Sequence, residues 1–135
     1  YDLIICNPPY FTTSLHSPDS TRTFARHNDS MPLSELSAYI SSNLSSQGIF
    51  SVILPIDETS ILDSEFSSLG LYPIRRTLVF PRIDSISPKR VLTTYAKTEK
   101  QQSATSQDNL HIETKERHHY TDQYINLTCD FYLNM

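Results

Sequence analysis

The chain has 135 residues, 38% of them apolar, and a net charge of −4. That is one domain's worth of chain with enough apolar side chains for a core, and no overall basic excess of the kind that marks a nucleic-acid binder. Two cysteines, Cys6 and Cys129, exclude a disulfide framework, and no apolar run approaches transmembrane length, so a reducing cytoplasmic setting with no membrane partner is expected.

In chain order, the first element is an apolar strand, Leu3 to Cys6, which runs directly into Asn7-Pro8-Pro9-Tyr10-Phe11. Two prolines fix φ near −65° and donate no N–H, so the strand must stop there. Asn7, preceding a proline, is pushed towards extended geometry and its carboxamide projects from the strand end. In open α/β sheets that end is where ligands bind. A carboxamide, a carbonyl and an aromatic ring within four residues suit a planar, amino-bearing ring.

Residues 12–32 are polar and lack apolar periodicity, and they read as a loop beside the strand end. Arg22 and Arg26 either grip substrate phosphates from it or ride on a solvated segment. A helix follows from Pro32 to Ser34 onward, with Leu33, Leu36, Tyr39, Ile40 and Leu44 on its apolar side and Gly48 closing the segment. Ile49 to Pro55 reads as a buried strand. Asp57 to Leu69 reads as a second helix, with Asp57 as its N-cap, Ile61, Leu62, Phe66 and Leu69 inward, and Gly70 at its end.

Leu71 to Pro81 and Arg90 to Lys97 are strand-like, and the turn between them, Ile83 to Lys89, predicts an antiparallel hairpin. Arg75, Arg76, Lys89 and Arg90 cluster near that hairpin, as RNA-phosphate contacts or as ordinary surface charge. Thr98 to Asn109 reads as linker and Leu110 to Glu113 as a short edge strand. Thr121 to Leu133 is expected to close the chain as an amphipathic helix, with Tyr124, Leu127, Phe131 and Cys129 inward. His118 and His119 beside Glu116 have no third and fourth partner at ligand spacing, so no metal is expected.

Asn7-Pro8-Pro9-Tyr10 after Asp2-Leu3-Ile4-Ile5 resembles motif IV of the class I, S-adenosylmethionine-dependent N-methyltransferases. Three further stretches narrow the likeness: Ala25-Arg26 within the loop, Leu33-Ser34-Glu35-Leu36 opening the helix, and Pro88-Lys89-Arg90-Val91-Leu92 on the hairpin. With the closing segment from Tyr120-Thr121-Asp122-Gln123-Tyr124 to Phe131-Tyr132-Leu133 and Met135, the chain is similar throughout to the bacterial tRNA1(Val) (adenine-37-N6)-methyltransferase family. The resemblance implies an α/β fold: the C-terminal half of a class I, Rossmann-like sheet, ending in an antiparallel hairpin and a C-terminal helix. It also implies a tRNA partner and S-adenosyl-L-methionine as cofactor.

On that reading Asn7, Pro8 and Tyr10 are catalytic. The Asn7 oxygen and the Pro8 carbonyl accept the two N–H groups of the adenine amine, while Tyr10 stacks on the base. Pro9, Phe11, Arg22, Arg26 and Arg90 are the substrate-binding set, and Asn7 is the one cofactor contact expected in this chain. The family's cofactor half has a glycine-rich turn and a ribose-gripping acid. This chain has only Gly48 and Gly70, so residues 1–135 are expected to be the C-terminal half of a catalytic domain, with residues 12–32 as its substrate-side loop, and inactive alone. Two alternatives remain open: methylation of a protein glutamine amide, and a non-catalytic module that dimerises through its open sheet edge.

Overall fold

The computed structural model describes residues 1–8, 32–97 and 105–132. Five strands form one sheet: β1 (Leu3–Cys6), β2 (Ile49–Pro55), β3 (Leu71–Arg82), β4 (Arg90–Lys97) and β5 (Ser106–Glu113), in the spatial order β1-β2-β4-β3-β5. β1 and β2 are parallel, and β4 is antiparallel to both β2 and β3. The expected hairpin therefore forms, with β4 inserted between β2 and β3. β5 adds a parallel strand outside β3.

The helices are α1 (Leu33–Asn43), α2 (Ile56–Ser68) and α3 (Asp122–Thr128). α1 and α2 cover one face of the sheet. Alternation along the strands sends Phe50, Val52, Leu54 and Tyr95 to that face, where they cluster with Leu36, Ile40, Leu62 and Phe66. Phe50, Phe66 and Tyr95 form an aromatic trio with centroids 4.7–6.2 Å apart. Both helices follow a narrower stripe than expected. Ser37 is buried on α1, its hydroxyl donating to the Ser34 carbonyl at 2.9 Å, and Tyr39 points outward. On α2 the buried set is Thr59, Leu62 and Phe66, while Ile61, one residue and about 100° round the helix from Leu62, is exposed.

Asp57 does not cap α2. Pro55 is the N-cap, and Asp57 lies with Glu58 in the first turn, where the helix dipole favours negative charge. β5 begins at Ser106, four residues before the expected edge strand, because β3 offers it an unpaired edge from Arg75 to Arg82. The two prolines of β3 fit around this ladder. At Pro73 a register shift interrupts the pairing with β4 before β5 has joined, and Pro81 lies beyond the last β4 pair, Val79–Arg90.

The opposite face of the sheet is open over β1, β2 and β4. Leu3 and Ile5 are more than half exposed, and Ile49 and Leu92 are also exposed. α3 covers only the β5 side. It is shorter than expected and has no fully buried residue; Leu127, Cys129 and Phe131 face outward while Tyr124, Ile125 and Thr128 are half-buried. Thr121 caps it by accepting the Tyr124 N–H.

Candidate active site at the end of the first strand

The beginning of β1 is pinned to the α1–β2 turn. The Tyr1 carbonyl accepts from Ser45 N at 2.9 Å, the Asp2 carbonyl accepts from Ile49 N at 2.9 Å, and the Asp2 carboxylate accepts from the Ser45 hydroxyl at 2.7 Å. Gly48 permits this approach: a Cβ there would stand 2.8 Å from the Tyr1 carbonyl oxygen and 2.9 Å from Leu44 Cδ1. The strand is thereby held in register, Cys6 opposite Val52, and delivers Asn7 and Pro8 past its carboxyl end.

Alternation puts Leu3, Ile5 and Asn7 on the open face. Asn7 is exposed and stands at one end of a trough of about 680 Å³ that crosses this face. Ile5, Ile53, Leu92 and Leu110 give it an apolar floor, and Gln123, Asn126 and Leu127 of α3 form the far wall. Ser51 and Thr94 satisfy each other's hydroxyls across the floor at 3.0 Å. Near α3 lies the Arg75–Asp108 ion pair at 2.8 Å. The Thr77 hydroxyl and the Arg75 guanidinium hold the Asp108 carboxyl below its ordinary range. Cys6 is half-buried beside Asn7, packed against the core, and burial pushes its thiol up.

Of the expected site residues, the described chain contains Asn7, Pro8 and Arg90. Pro9, Tyr10, Phe11, Arg22 and Arg26, with most of the 12–32 loop, lie outside the described residues. Arg90 opens β4 opposite Pro55, on the same edge of the sheet as Asn7 but two strands away, about 10 Å laterally. Arg75 and Arg76 do not join it. Arg76 is bound to Asp63 of α2 and Arg75 to Asp108, so both guanidinium charges are already offset by a carboxylate. At the top of β2, Glu58 is half-buried, and desolvation followed by the neighbouring Asp57 charge raises its carboxyl above the usual range.

Sequence reasoning missed the trough itself and the contribution of α3. The available signal was that Leu3-Ile4-Ile5-Cys6 is apolar at successive positions and that Ile49 to Leu54 is interrupted only by Ser51, which marks strands meant to be covered on both faces. The two glycines of the chain, Gly48 and Gly70, precede β2 and β3, at the edge of the sheet opposite Asn7. They cannot cradle a cofactor beside it.

No family model matches the chain. Its full length aligns with proteins named tRNA1(Val) (adenine(37)-N6)-methyltransferase. The relative from Bacteroides fragilis is 42% identical over 135 residues, covering 100% of this chain and 55% of the relative. Relatives from Phocaeicola vulgatus and Flavobacterium psychrophilum are 38% and 39% identical over the same length, each covered to 56%. The chain thus spans about half the length of the curated relatives it matches. Among solved structures, a predicted O-methyltransferase, protein Atu636 from Agrobacterium tumefaciens, superposes with a TM-score of 0.60 at 20% identity, over 90% of this chain and 48% of that one. That likeness establishes the fold, an open Rossmann-like α/β sheet. Over its whole length the chain is similar in sequence to proteins named tRNA1(Val) (adenine(37)-N6)-methyltransferase.

Proposed function

We propose that this chain is the amine-binding half of an S-adenosylmethionine-dependent methyltransferase that modifies N6 of an adenine in tRNA. The observation that carries the reading is Asn7 at the carboxyl end of β1 on the open trough, with Pro8 next in the chain, in a chain whose whole length aligns with relatives named tRNA1(Val) (adenine(37)-N6)-methyltransferase. The adenine amine is a weak nucleophile because its lone pair is delocalised into the ring. Two acceptors, the Asn7 side-chain oxygen and the Pro8 carbonyl, take its two N–H groups and turn the lone pair towards the donor. Tyr10 stacks on the extruded base with Phe11 beside it, and Arg22, Arg26 and Arg90 hold flanking phosphates.

The cofactor supplies the methyl group when bound. Among the described residues none besides Asn7 fits it, since both glycines lie at the other edge of the sheet, so we expect the 135-residue chain alone not to hold S-adenosylmethionine. Calorimetric titration of S-adenosylhomocysteine into the 135-residue chain is expected to be silent, and one-to-one binding would overturn that expectation.

The activity is tested in a chimera in which this chain replaces the matching 135 residues of the Bacteroides fragilis relative. Methyl transfer to tRNA should yield N6-methyladenosine, and Asn7→Ala should lower kcat by about 10²–10³, as loss of an oriented polar contact in a water-poor site does. A chimera that methylates a glutamine peptide but not tRNA, or that is indifferent to Asn7→Ala, refutes the reading.

A further inference from the structure

Resting on that reading, we infer that the corner of the sheet formed by the β3–β4 tip and the β5–α3 turn is a grip for loop RNA flanking the target base. β1, β2, β3 and β5 all point their carboxyl ends to the edge that carries Asn7. β2 stops at Pro55, opposite Arg90 and, across β4, Val79. β3 runs three residues further to Arg82, roughly 10 Å beyond that level, so its tip stands up as a wall beside the site. Three strand spacings separate it from β1, about 14 Å, a distance that two or three nucleotides of extended RNA span.

The wall is built rather than loose. Ile83 N donates to the Glu113 carbonyl at 3.0 Å, which ties the tip to β5, and Lys89 N donates to the Val79 carbonyl at 2.9 Å. The turn after β5 folds against the same point. Glu113 bridges Tyr120, Thr114 N donates to the His119 carbonyl at 2.7 Å, and His118 adopts φ 67° with its N–H on the Glu113 carboxylate.

Charge is segregated towards this corner. Residues 82–90 and 113–120 carry Arg82, Lys89, Arg90, Lys115 and Arg117 against three carboxylates, Asp84, Glu113 and Glu116. Elsewhere in the described residues only Arg75, Arg76 and Lys97 face nine carboxylates. Asp84 is engaged by Arg82 and Glu116 by His119. Lys89, Lys115 and Arg117 are exposed and have no ion-pair partner among the described residues. By contrast Arg75 and Arg76 are paired, and Lys97 donates to the Leu44 carbonyl.

Beside these cations the corner offers apolar and aromatic surface: Ile86, fully exposed at the tip, and Tyr120, partly exposed with its ring 5.3 Å from that of Tyr124. Cations without an ion-pair partner beside an exposed tyrosine ring and an apolar tip suit a strand of negative phosphates with unstacked bases, the form in which RNA loops are read. The short overall basic count is then no obstacle, because the cations that matter are concentrated at one place on the site's own edge.

The test uses the 135-residue chain and a fluorescein-labelled anticodon stem-loop RNA, followed by anisotropy over a salt series. Lys89→Glu/Lys115→Glu/Arg117→Glu should weaken binding at least tenfold and flatten the slope of log K against log salt by about two, three phosphates at roughly 0.7 each. Lys89→Arg/Lys115→Arg should bind like the parent, and circular dichroism should show all three proteins equally folded, since every changed side chain is exposed. An RNA whose loop adenine is replaced by purine, lacking the amine, separates the two proposals: it removes the Asn7 contact but should leave the tenfold effect of the triple variant intact. Equal binding by the triple variant, no RNA binding by the parent at low salt, or equal affinity for an acidic peptide of the same charge each overturns the grip. Indifference to the purine replacement counts against the amine reading alone.

Discussion

Tyr95→Phe isolates one hydrogen bond in the core between the sheet and α2. Tyr95 is fully buried, and its hydroxyl donates to Asp63 Oδ1 at 2.8 Å while Arg76 binds the other carboxylate oxygen. Removing the hydroxyl deletes a bond to a charged acceptor, which is worth about 1.5–3 kcal/mol, and leaves that oxygen without its donor. Asp63 and Arg76 keep each other, and the Asp63 side chain is 29% exposed, so water replaces part of the loss. The expected cost is about 1.5 kcal/mol, or about 6 °C in Tm for a chain of this size. Urea and thermal denaturation followed by circular dichroism measure it. The pH dependence gives an independent check. Burial and the Asp63 charge push the Tyr95 hydroxyl well above its usual range, so in the folded protein it stays protonated while the unfolded phenol ionises above about pH 10. The native state then holds the extra proton, and parental stability falls as pH rises through that value. Tyr95→Phe lacks this slope, so its deficit should shrink above pH 10. A loss below about 0.3 kcal/mol at pH 7, or a deficit that grows in alkali, refutes the account.

Gly48→Ala should cost about 1–3 kcal/mol by overpacking against the Tyr1 carbonyl and Leu44, read as a lower urea midpoint at unchanged m. Asp108→Asn should lower Tm at neutral pH and converge with the parent in acid: the carboxyl is held below its ordinary value, so its contribution is present above about pH 4 and is lost as pH falls through the lowered folded value. Ile5→Lys, on the open face, should leave stability within about 0.5 kcal/mol in the monomer. If a second copy pairs at the β1 edge, sedimentation of the parent shows a dimer that this variant dissociates.

Where local pattern and tertiary packing agreed, the sequence was readable. β1, β2, the β3–β4 pair and both long helices follow from apolar runs bounded by Pro55, Gly48 and Gly70, and the structure has them within a residue or two at most boundaries. β5 was underestimated because Ser106, Gln107 and Asp108 carry no strand signal of their own. Their ladder is dictated by the free edge of β3, which no local window contains. The inward face of α3 was misassigned for a related reason. Leu127 and Phe131 are apolar, but the sheet they were expected to meet ends its cover at the half-buried Tyr124, Ile125 and Thr128. Asn7 and Pro8 were legible because proline chemistry fixes a strand end outright. Arg76 was not, since the acid that claims it lies 13 residues earlier on a helix whose phase was read slightly wrong.

The exposed side of α3 and the exposed side of β1 are two halves of one fact. Leu127 forms one wall of the trough and Ile5 lies on its floor at the other side, with Ile53 and Leu92 between them. From β1 across β2 to β4 is two strand spacings, about 10 Å, the width of one helix with its side chains. A sheet whose strands are apolar on both faces gains its full stability only with a layer on each side. The layer made by α1 and α2 is present, and it fixes the register that carries Asn7 to the strand end. Asn7 stands on the other face, at the mouth of the surface that still wants covering. On the proposed function an amine held by Asn7 would lie at the mouth of this uncovered face, so whatever layer covers the trough would also border that amine.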